Sequence, residues 1–157
     1  MTLPPIEAAL LDWSAYTRVL VATSHPEGGR RLSPDQLEAF EEAVLADQLH
    51  VCTPFRLEAR YSARTAKDFL AFSEDLDGFR QAAADAETWL LAERAQRDLA
   101  ENSAVSHRVK LADLLVAAVA AQHRIGVLHY DADYDLIARH TKLDFESVWI
   151  APAGSID

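Results

Sequence analysis

One run of eleven residues constrains this chain more than any other: Leu111-Ala-Asp-Leu-Leu-Val-Ala-Ala-Val-Ala-Ala121. Alanine, leucine and valine fill every position but one, and a helix that is apolar all round belongs in a core. The exception is Asp113. An ionised carboxylate left alone in such surroundings costs several kcal/mol or more, so it requires a partner. Three further acids, Asp12, Glu58 and Asp131, stand where hydrophobic patterning predicts a core-facing or strand-end position. A divalent cation shared among the four is the simplest partner. That inference turns a small acidic chain into a candidate metal-dependent enzyme.

The segments around these acids alternate in type. Ile6–Trp13 reads as a buried strand in which Ala8-Ala-Leu-Leu11 runs into Asp12, and Ser14 sits in N-cap position for a helix to about Ala22. Thr23–Ser33, with Pro26 and Gly28-Gly29, reads as a loop. Ser33-Pro34 has the chemistry of a helix start, followed by Leu37, Phe40, Val44 and Leu45 at apolar spacing. Leu49–Cys52 is a second strand, and Thr53-Pro54 opens a helix carrying Glu58. Two or three helices fill roughly 65–104. The helix from Lys110 stops at Gly126, and Val127–His129 is a third strand. Asp133 caps a helix over Tyr134–His140, and Ser147–Ala151 is a fourth strand ended by Pro152.

Strands separated by helices imply parallel crossovers and a sheet covered on both faces. Ligands of such sheets bind beyond the carboxyl ends of the strands. Asp12 follows strand one, Glu58 lies on the helix after strand two, and Asp131 follows strand three. Topology therefore brings three of the four acids to one sheet edge, and Asp113 must reach that edge from the side.

Length and composition narrow the rest. A chain of 157 residues fits one domain over 1–157, since domains run to about 100–150 residues. Half of its residues are hydrophobic, enough for a core without disulfides. The single Cys52 has no partner for an intramolecular disulfide and reads as a buried structural thiol, consistent with a reducing compartment. No stretch approaches the roughly 18 apolar residues of a membrane helix, and the start of the chain lacks a signal-peptide pattern; the expectation is a soluble, cytoplasmic protein with no membrane partner. The net charge of −10, from 15 basic and 25 acidic residues, argues against nonspecific coating of nucleic acid. It leaves a nuclease open, because bound cations and a local basic strip reverse the sign of a site. No clustered Cys/His pattern suggests structural zinc.

Five blocks, in order, carry a resemblance across nearly the whole chain, from Leu10 to Asp157. They are Leu11-Asp-Trp-Ser-Ala15, Arg56-Leu-Glu-Ala-Arg-Tyr-Ser-Ala-Arg64, His107-Arg-Val-Lys-Leu-Ala-Asp-Leu-Leu115, Val127-Leu-His-Tyr-Asp-Ala-Asp-Tyr-Asp135 and Trp149-Ile-Ala-Pro-Ala-Gly-Ser-Ile156. Together they resemble the PIN-domain ribonucleases, and among these the VapC-type toxins of prokaryotic toxin–antitoxin pairs. The resemblance implies an α/β, PIN-like three-layer sandwich with a central parallel sheet of about four or five strands flanked by helices. It places Asp12, Glu58, Asp113 and Asp131 on the family's four metal-site acids, Asp133 on a more variable acid, and Ser14 on the small hydroxyl residue near the first acid. Trp13 departs from a commoner small residue, and His129 replaces the usual Thr two residues before Asp131.

The implied activity is that of a metal-dependent endoribonuclease toxin acting on structured RNA, tRNA or rRNA. One or two Mg²⁺ or Mn²⁺ ions would activate water for attack on a phosphodiester, with no covalent enzyme intermediate. A cognate VapB-type antitoxin would wrap the protein and block the site with a basic side chain. A homodimer is implied too, with the helices between residues 33 and 80 as partner contacts. The rivals are a PIN nuclease of RNA processing that is not a toxin, and a catalytically inactive PIN-fold binding protein.

Plainer readings stand beside these. Asp12 also fits a helix cap, Asp113 a carboxylate stabilised at a helix start, Glu58 a solvated helix residue and Asp131 a turn residue. Asp133 fits a cap as well as a ligand, and Asp135 reads as a surface acid of a first helical turn. Arg56, Arg60 and Arg64 recur every four residues on one face of the Glu58 helix. They read as a solvated stripe paired with surface acids or as a rail for RNA phosphates that Arg108 and Lys110 extend. His25, His107 and His129 read as structural or surface residues before donors to RNA, and Trp89 and Trp149 as core before stacking platforms.

Overall fold

Three consecutive apolar side chains with no polar alternation require a strand covered on both faces, and strand β1 (Ala9–Leu11) is completely buried. It lies at the centre of the sheet. The computed structural model describes residues 7–102 and 107–157, so the Ile6 start expected for this strand lies outside the described residues. Within them the chain continues through α1 (Trp13–Ser24), α2 (Pro34–Leu45), β2 (Leu49–Val51), α3 (Thr53–Tyr61), α4 (Ala66–Asp77) and β3 (Arg80–Gln81). There follow α5 (Ala86–Glu101), α6 (Leu111–His123), β4 (Gly126–His129), α7 (Asp133–His140) and β5 (Ser147–Trp149). The strands form one five-stranded parallel sheet in the order β3-β2-β1-β4-β5, with helices as the crossovers.

Strand β3 is the element that patterning did not disclose. Both its residues are exposed and polar, so no hydrophobic signal marks it. It exists because the backbone of an edge strand pairs with β2, His50 opposite Arg80, and Ala82 N–H donates to the Val51 carbonyl at 2.8 Å. Residues 65–102 therefore hold two helices with a strand between them, and residues 103 and 104 lie outside the described residues.

Three helix boundaries differ from the expectation, each for a hydrogen-bonding reason. Helix α1 is capped by Asp12, not Ser14: the Asp12 carboxylate accepts the Ser14 N–H at 2.9 Å. Helix α6 stops at Arg124, which takes a left-handed conformation (φ 56°), and not at Gly126. Gly126 instead begins β4, where a Cβ would lie 3.1 Å from the Glu146 carbonyl oxygen; its lack of a side chain permits that close approach. Helix α7 begins at Asp133 with no side-chain cap from that residue. The preceding Asp131 accepts the Asp133 N–H at 3.0 Å.

Helix α6 is the hub that its composition promised. Val116 to Ala120 are wholly buried, and the helix packs against α3, α5, α7, β1 and β4. Cys52 is also buried, and burial pushes its thiol up to about 12, well away from a reactive thiolate. Trp89 does not follow the core reading: about half of it is exposed on α5. No helix among the described residues is long and apolar enough to cross a membrane.

Candidate metal centre

Parallel strands deliver their carboxyl ends to one edge, and the acids gather there. Asp12 follows β1 directly and is 2 % exposed. Both of its oxygens are occupied by neighbours. Oδ2 accepts the Ser14 N–H and the Ser14 hydroxyl at 2.5 Å, while Oδ1 accepts the buried Tyr134 hydroxyl at 2.6 Å. Ser14 Oγ in turn accepts the Tyr130 N–H at 2.9 Å, which ties α1 to the segment after β4. The capping reading and the site reading of Asp12 thus coincide in one residue.

Glu58 on α3 and Asp113 on the first turn of α6 complete a trio with Asp12, one oxygen from each lying within 4.8 Å of the others. These two are not satisfied in the same way. Glu58 Oε2 and Asp113 Oδ2 are buried and have no hydrogen-bond partner. Burial, reinforced by Asp12, holds the Glu58 carboxyl above its ordinary range. Burial, with Asp12, Asp131 and Glu58 nearby, pushes Asp113 up to about 8 against the opposing pull of Lys110. A site that raises carboxyl pKa values through burial and mutual repulsion carries less positive charge than its carboxylates would need.

Asp113 also joins a second trio with Asp131 and Asp133, again within 4.8 Å. Asp131 is held on three sides. Its N–H donates to His129 Nδ1 at 3.1 Å, Oδ1 accepts the Asp133 N–H, and Oδ2 accepts Lys110 Nζ at 2.6 Å. Burial pushes its carboxyl up, but the Lys110 and Asp133 hydrogen bonds outweigh that and leave it below its ordinary value. Lys110 Nζ stands 3.8 Å from Asp113 Oδ2 as well.

Behind Asp131 lies a polar chain of a different kind. His129 is fully buried. Since Nδ1 accepts an N–H, the neutral ring carries its proton on Nε2 and donates it to Ser147 Oγ at 2.7 Å. Ser147 donates to Asp135 Oδ1 at 2.6 Å, and the Trp149 indole donates to Asp135 Oδ2 at 2.9 Å. Burial pulls the His129 pKa down to about 4, although Asp135, Asp12 and Asp131 oppose it. Asp135 is therefore not the free surface acid of the sequence reading; it anchors β5 to α7. His25 and His107 are exposed.

The proposed RNA contacts divide. Arg56 pairs with Asp77 at 2.5 Å, and the Arg60 guanidinium lies over the Phe69 ring; both tie α3 to α4. Arg64 falls beyond the end of α3 at Tyr61, so the four-residue spacing does not put it on that helix. Arg108 precedes α6, and Lys110 lies in the acid cluster itself. Tyr134 is a residue that sequence reasoning missed. A tyrosine on the first turn of a helix carries no cue that its hydroxyl will reach an acid 122 positions earlier.

The cluster suits a metal ion by its own chemistry. Its residues are all carboxylates, and two of them, Glu58 and Asp113, each carry a buried oxygen without a hydrogen-bond partner. Comparison with known proteins gives the family and the fold. The PIN domain family model matches residues 17–140. Ribonuclease VapC18 of Mycobacterium tuberculosis is 40% identical over 124 residues, covering 78% of this chain and 89% of that protein. Ribonuclease VapC21 of the same organism is 34% identical over 149 residues, covering 93% and 96%. Among solved structures, DNA-bound VapBC from Salmonella typhimurium aligns with a TM-score of 0.65 at 11% identity, covering 92% of this chain and 99% of that one. VapBC-5 from Mycobacterium tuberculosis aligns with a TM-score of 0.60 at 21% identity, covering 91% and 98%. At such identities the structures speak for the fold alone.

Proposed function

The chain belongs to the PIN domain family, and from that premise we propose that it is a metal-dependent endoribonuclease toxin acting on structured RNA, with residues 1–157 working as a single domain. The observation that carries the reading is the pair of buried oxygens that accept no hydrogen bond, Glu58 Oε2 and Asp113 Oδ2, on two residues of one carboxylate trio. Leaving such atoms without a partner is costly unless a cation meets them. Asp12, Glu58, Asp113 and Asp131 would hold it, with Asp133 at the rim. Hard oxygen donors suit Mg²⁺ or Mn²⁺, one or two ions per site. When bound, such an ion supplies a Lewis acid that lowers the pKa of water and offsets charge on the phosphate.

The chain's own residues set the geometry. Ser14 and Tyr134 fix the Asp12 carboxylate from opposite oxygens, so it meets a cation without reorganising. His129 and the Asp133 N–H fix Asp131. The Ser14 hydroxyl is engaged as both donor and acceptor, which suits a supporting role and direct hydrolysis by water. Arg56, Arg60, Arg64, Arg108 and Lys110 are the candidate contacts to RNA phosphate, of which Arg56 and Arg60 also tie α3 to α4 and Lys110 meets the acid cluster. The relatives named as ribonucleases support an RNA substrate, and a toxin–antitoxin complex of the same fold supports a small VapB-type antitoxin; a homodimer acting in the cytoplasm completes the proposal.

The test is cleavage of total cellular RNA by antitoxin-free protein with Mg²⁺ or Mn²⁺, with EDTA, and with Asp113→Asn as control. Discrete cuts that need both the ion and Asp113 are expected. Equal inertness of folded wild type and mutant, together with no Mn²⁺ uptake in calorimetry, would favour a binding protein. Cleavage without growth arrest on induction would favour RNA processing.

A further inference from the structure

The acid cluster already contains a cation, and it is covalently attached. Lys110 Nζ is 2.6 Å from Asp131 Oδ2 and 3.8 Å from Asp113 Oδ2. Those two residues, with Asp133, form the second trio whose oxygens converge within 4.8 Å. The ammonium therefore engages the donors that this trio would offer to a metal. We infer that Lys110 is a displaceable counter-cation: it holds the Asp113–Asp131 side of the cluster in the metal-free protein, and an entering cation releases it to meet RNA phosphate. The inference rests on the nuclease reading and adds a second role for one residue within it.

Three features make displacement practicable. The Lys110 side chain is 62 % exposed while Asp113 is nearly buried, so the lysine can leave and the acid cannot. The Lys110 backbone lies just outside α6 in an extended conformation (φ −59°, ψ 137°), free of the rotamer limits that a helical turn imposes. An ammonium is a strongly hydrated point charge on a flexible stem, which loses little on returning to water. Like charges a few ångströms apart repel, so the ammonium and a metal compete for Asp131. A phosphate oxygen brought to the cluster offers a new anion to the released lysine, and Lys is well suited to phosphate as a point charge.

The experiment uses the full chain, metal-free, as wild type, Lys110→Met and Lys110→Arg. Mn²⁺ binding at neutral pH is followed by the electron paramagnetic resonance signal of the free ion. Lys110→Met is expected to bind Mn²⁺ about three- to tenfold tighter, the scale of losing one partly exposed competing ion pair. Lys110→Arg keeps the charge and is expected to stay at the wild-type value. In a second measurement, a short single-stranded RNA is bound with Ca²⁺ as the cation over a range of salt. The slope of log affinity against log salt is expected to be shallower by about 0.7 in Lys110→Met, the loss of one phosphate contact. Mn²⁺ affinity in Lys110→Met equal to or weaker than wild type overturns the counter-cation role. Tighter Mn²⁺ binding with an unchanged salt slope overturns the release to phosphate. Failure of the wild type to bind Mn²⁺ overturns the nuclease reading itself.

Discussion

Two polar clusters lie side by side at the carboxyl end of the sheet, and they differ in how completely they are bonded. Around His129 both ring nitrogens are engaged, Ser147 donates and accepts, and each oxygen of Asp135 receives a hydrogen bond. Around Asp113 the reverse holds, with Glu58 Oε2 and Asp113 Oδ2 buried and unpartnered. The first cluster is closed and gains nothing from a ligand; the second is short of positive charge. Burial of an acid is therefore not what distinguishes a site. The distinguishing property is a buried acceptor for which the chain supplies no donor, since satisfied polar networks rigidify a fold whereas unsatisfied ones await a partner.

The largest expected effect separates the clusters outright. Asp113→Asn should abolish RNA cleavage and weaken Mn²⁺ binding by more than the roughly 10–100-fold that loss of a supporting partner costs. It should leave the metal-free fold about as stable as wild type at neutral pH, where Asp113 is already largely protonated, and more stable above about pH 8. Wild-type cleavage by the variant would sink the role assigned to the open cluster.

The next effect is a stability profile in EDTA built from two contributions of opposite slope. Asp113 keeps its proton to about 8 in the folded chain, against the ordinary 3.8. The folded state then binds more protons across that window, so stability falls as pH rises through it. Glu58, also raised, contributes in the same direction. His129 is held down at about 4 against 6.5; there the unfolded state binds more protons, and stability is lost as pH falls from about 6.5 toward 4. The two windows overlap below about 6.5 and offset each other there, so thermal unfolding between pH 4 and 9 should show its steepest loss of stability between about 6.5 and 8. Asp113→Asn should remove that loss and uncover the His129 rise from about 4 to 6.5, and an unchanged fall above 6.5 would refute the assignment.

Breaking the closed cluster should cost stability first. Asp135→Ala leaves the Ser147 hydroxyl and the Trp149 indole N–H without their acceptor, a loss of roughly 1–3 kcal/mol in urea unfolding. Its Mn²⁺ affinity should stay closer to wild type than that of Asp113→Asn; the opposite ranking would merge the two clusters into one functional unit. Smallest is Arg56→Ala. Its side chain is mostly buried and pairs with the exposed Asp77, so the truncation should cost about 1 kcal/mol from the pair and the lost packing of its stem, with Mn²⁺ affinity unaltered. A large drop in RNA affinity would restore the phosphate rail.

The frame of the molecule could be read from its residues because its signals are local. Apolar runs marked β1, β2, β4 and β5, and Ser33-Pro34 marked the start of α2, where the structure shows Ser33 and Gln36 in a capping box. What escaped was non-local. Strand β3 is two exposed polar residues defined only by the neighbour they pair with. The Asp135 environment depends on Ser147 and Trp149, which reach it from another strand, and the Tyr134 bond to Asp12 spans most of the chain. Arg64 shows the converse error: its four-residue spacing is real, but the helix ends before it.

Sequence alone determined that an acid had to be buried in α6, because one carboxylate in an apolar helix has no local remedy. It also determined that Asp12, Glu58 and Asp131 share a sheet edge, since parallel strands all present their carboxyl ends on the same side. Tertiary structure decided which acids are satisfied and which are not. Asp12 receives the Tyr134 hydroxyl and Asp131 receives Lys110, while buried oxygens of Glu58 and Asp113 are left without a donor. The physical reason is one of range: hydrophobic burial is written in each segment's own pattern, but a hydrogen bond forms only where two distant segments place donor and acceptor within about 3 Å.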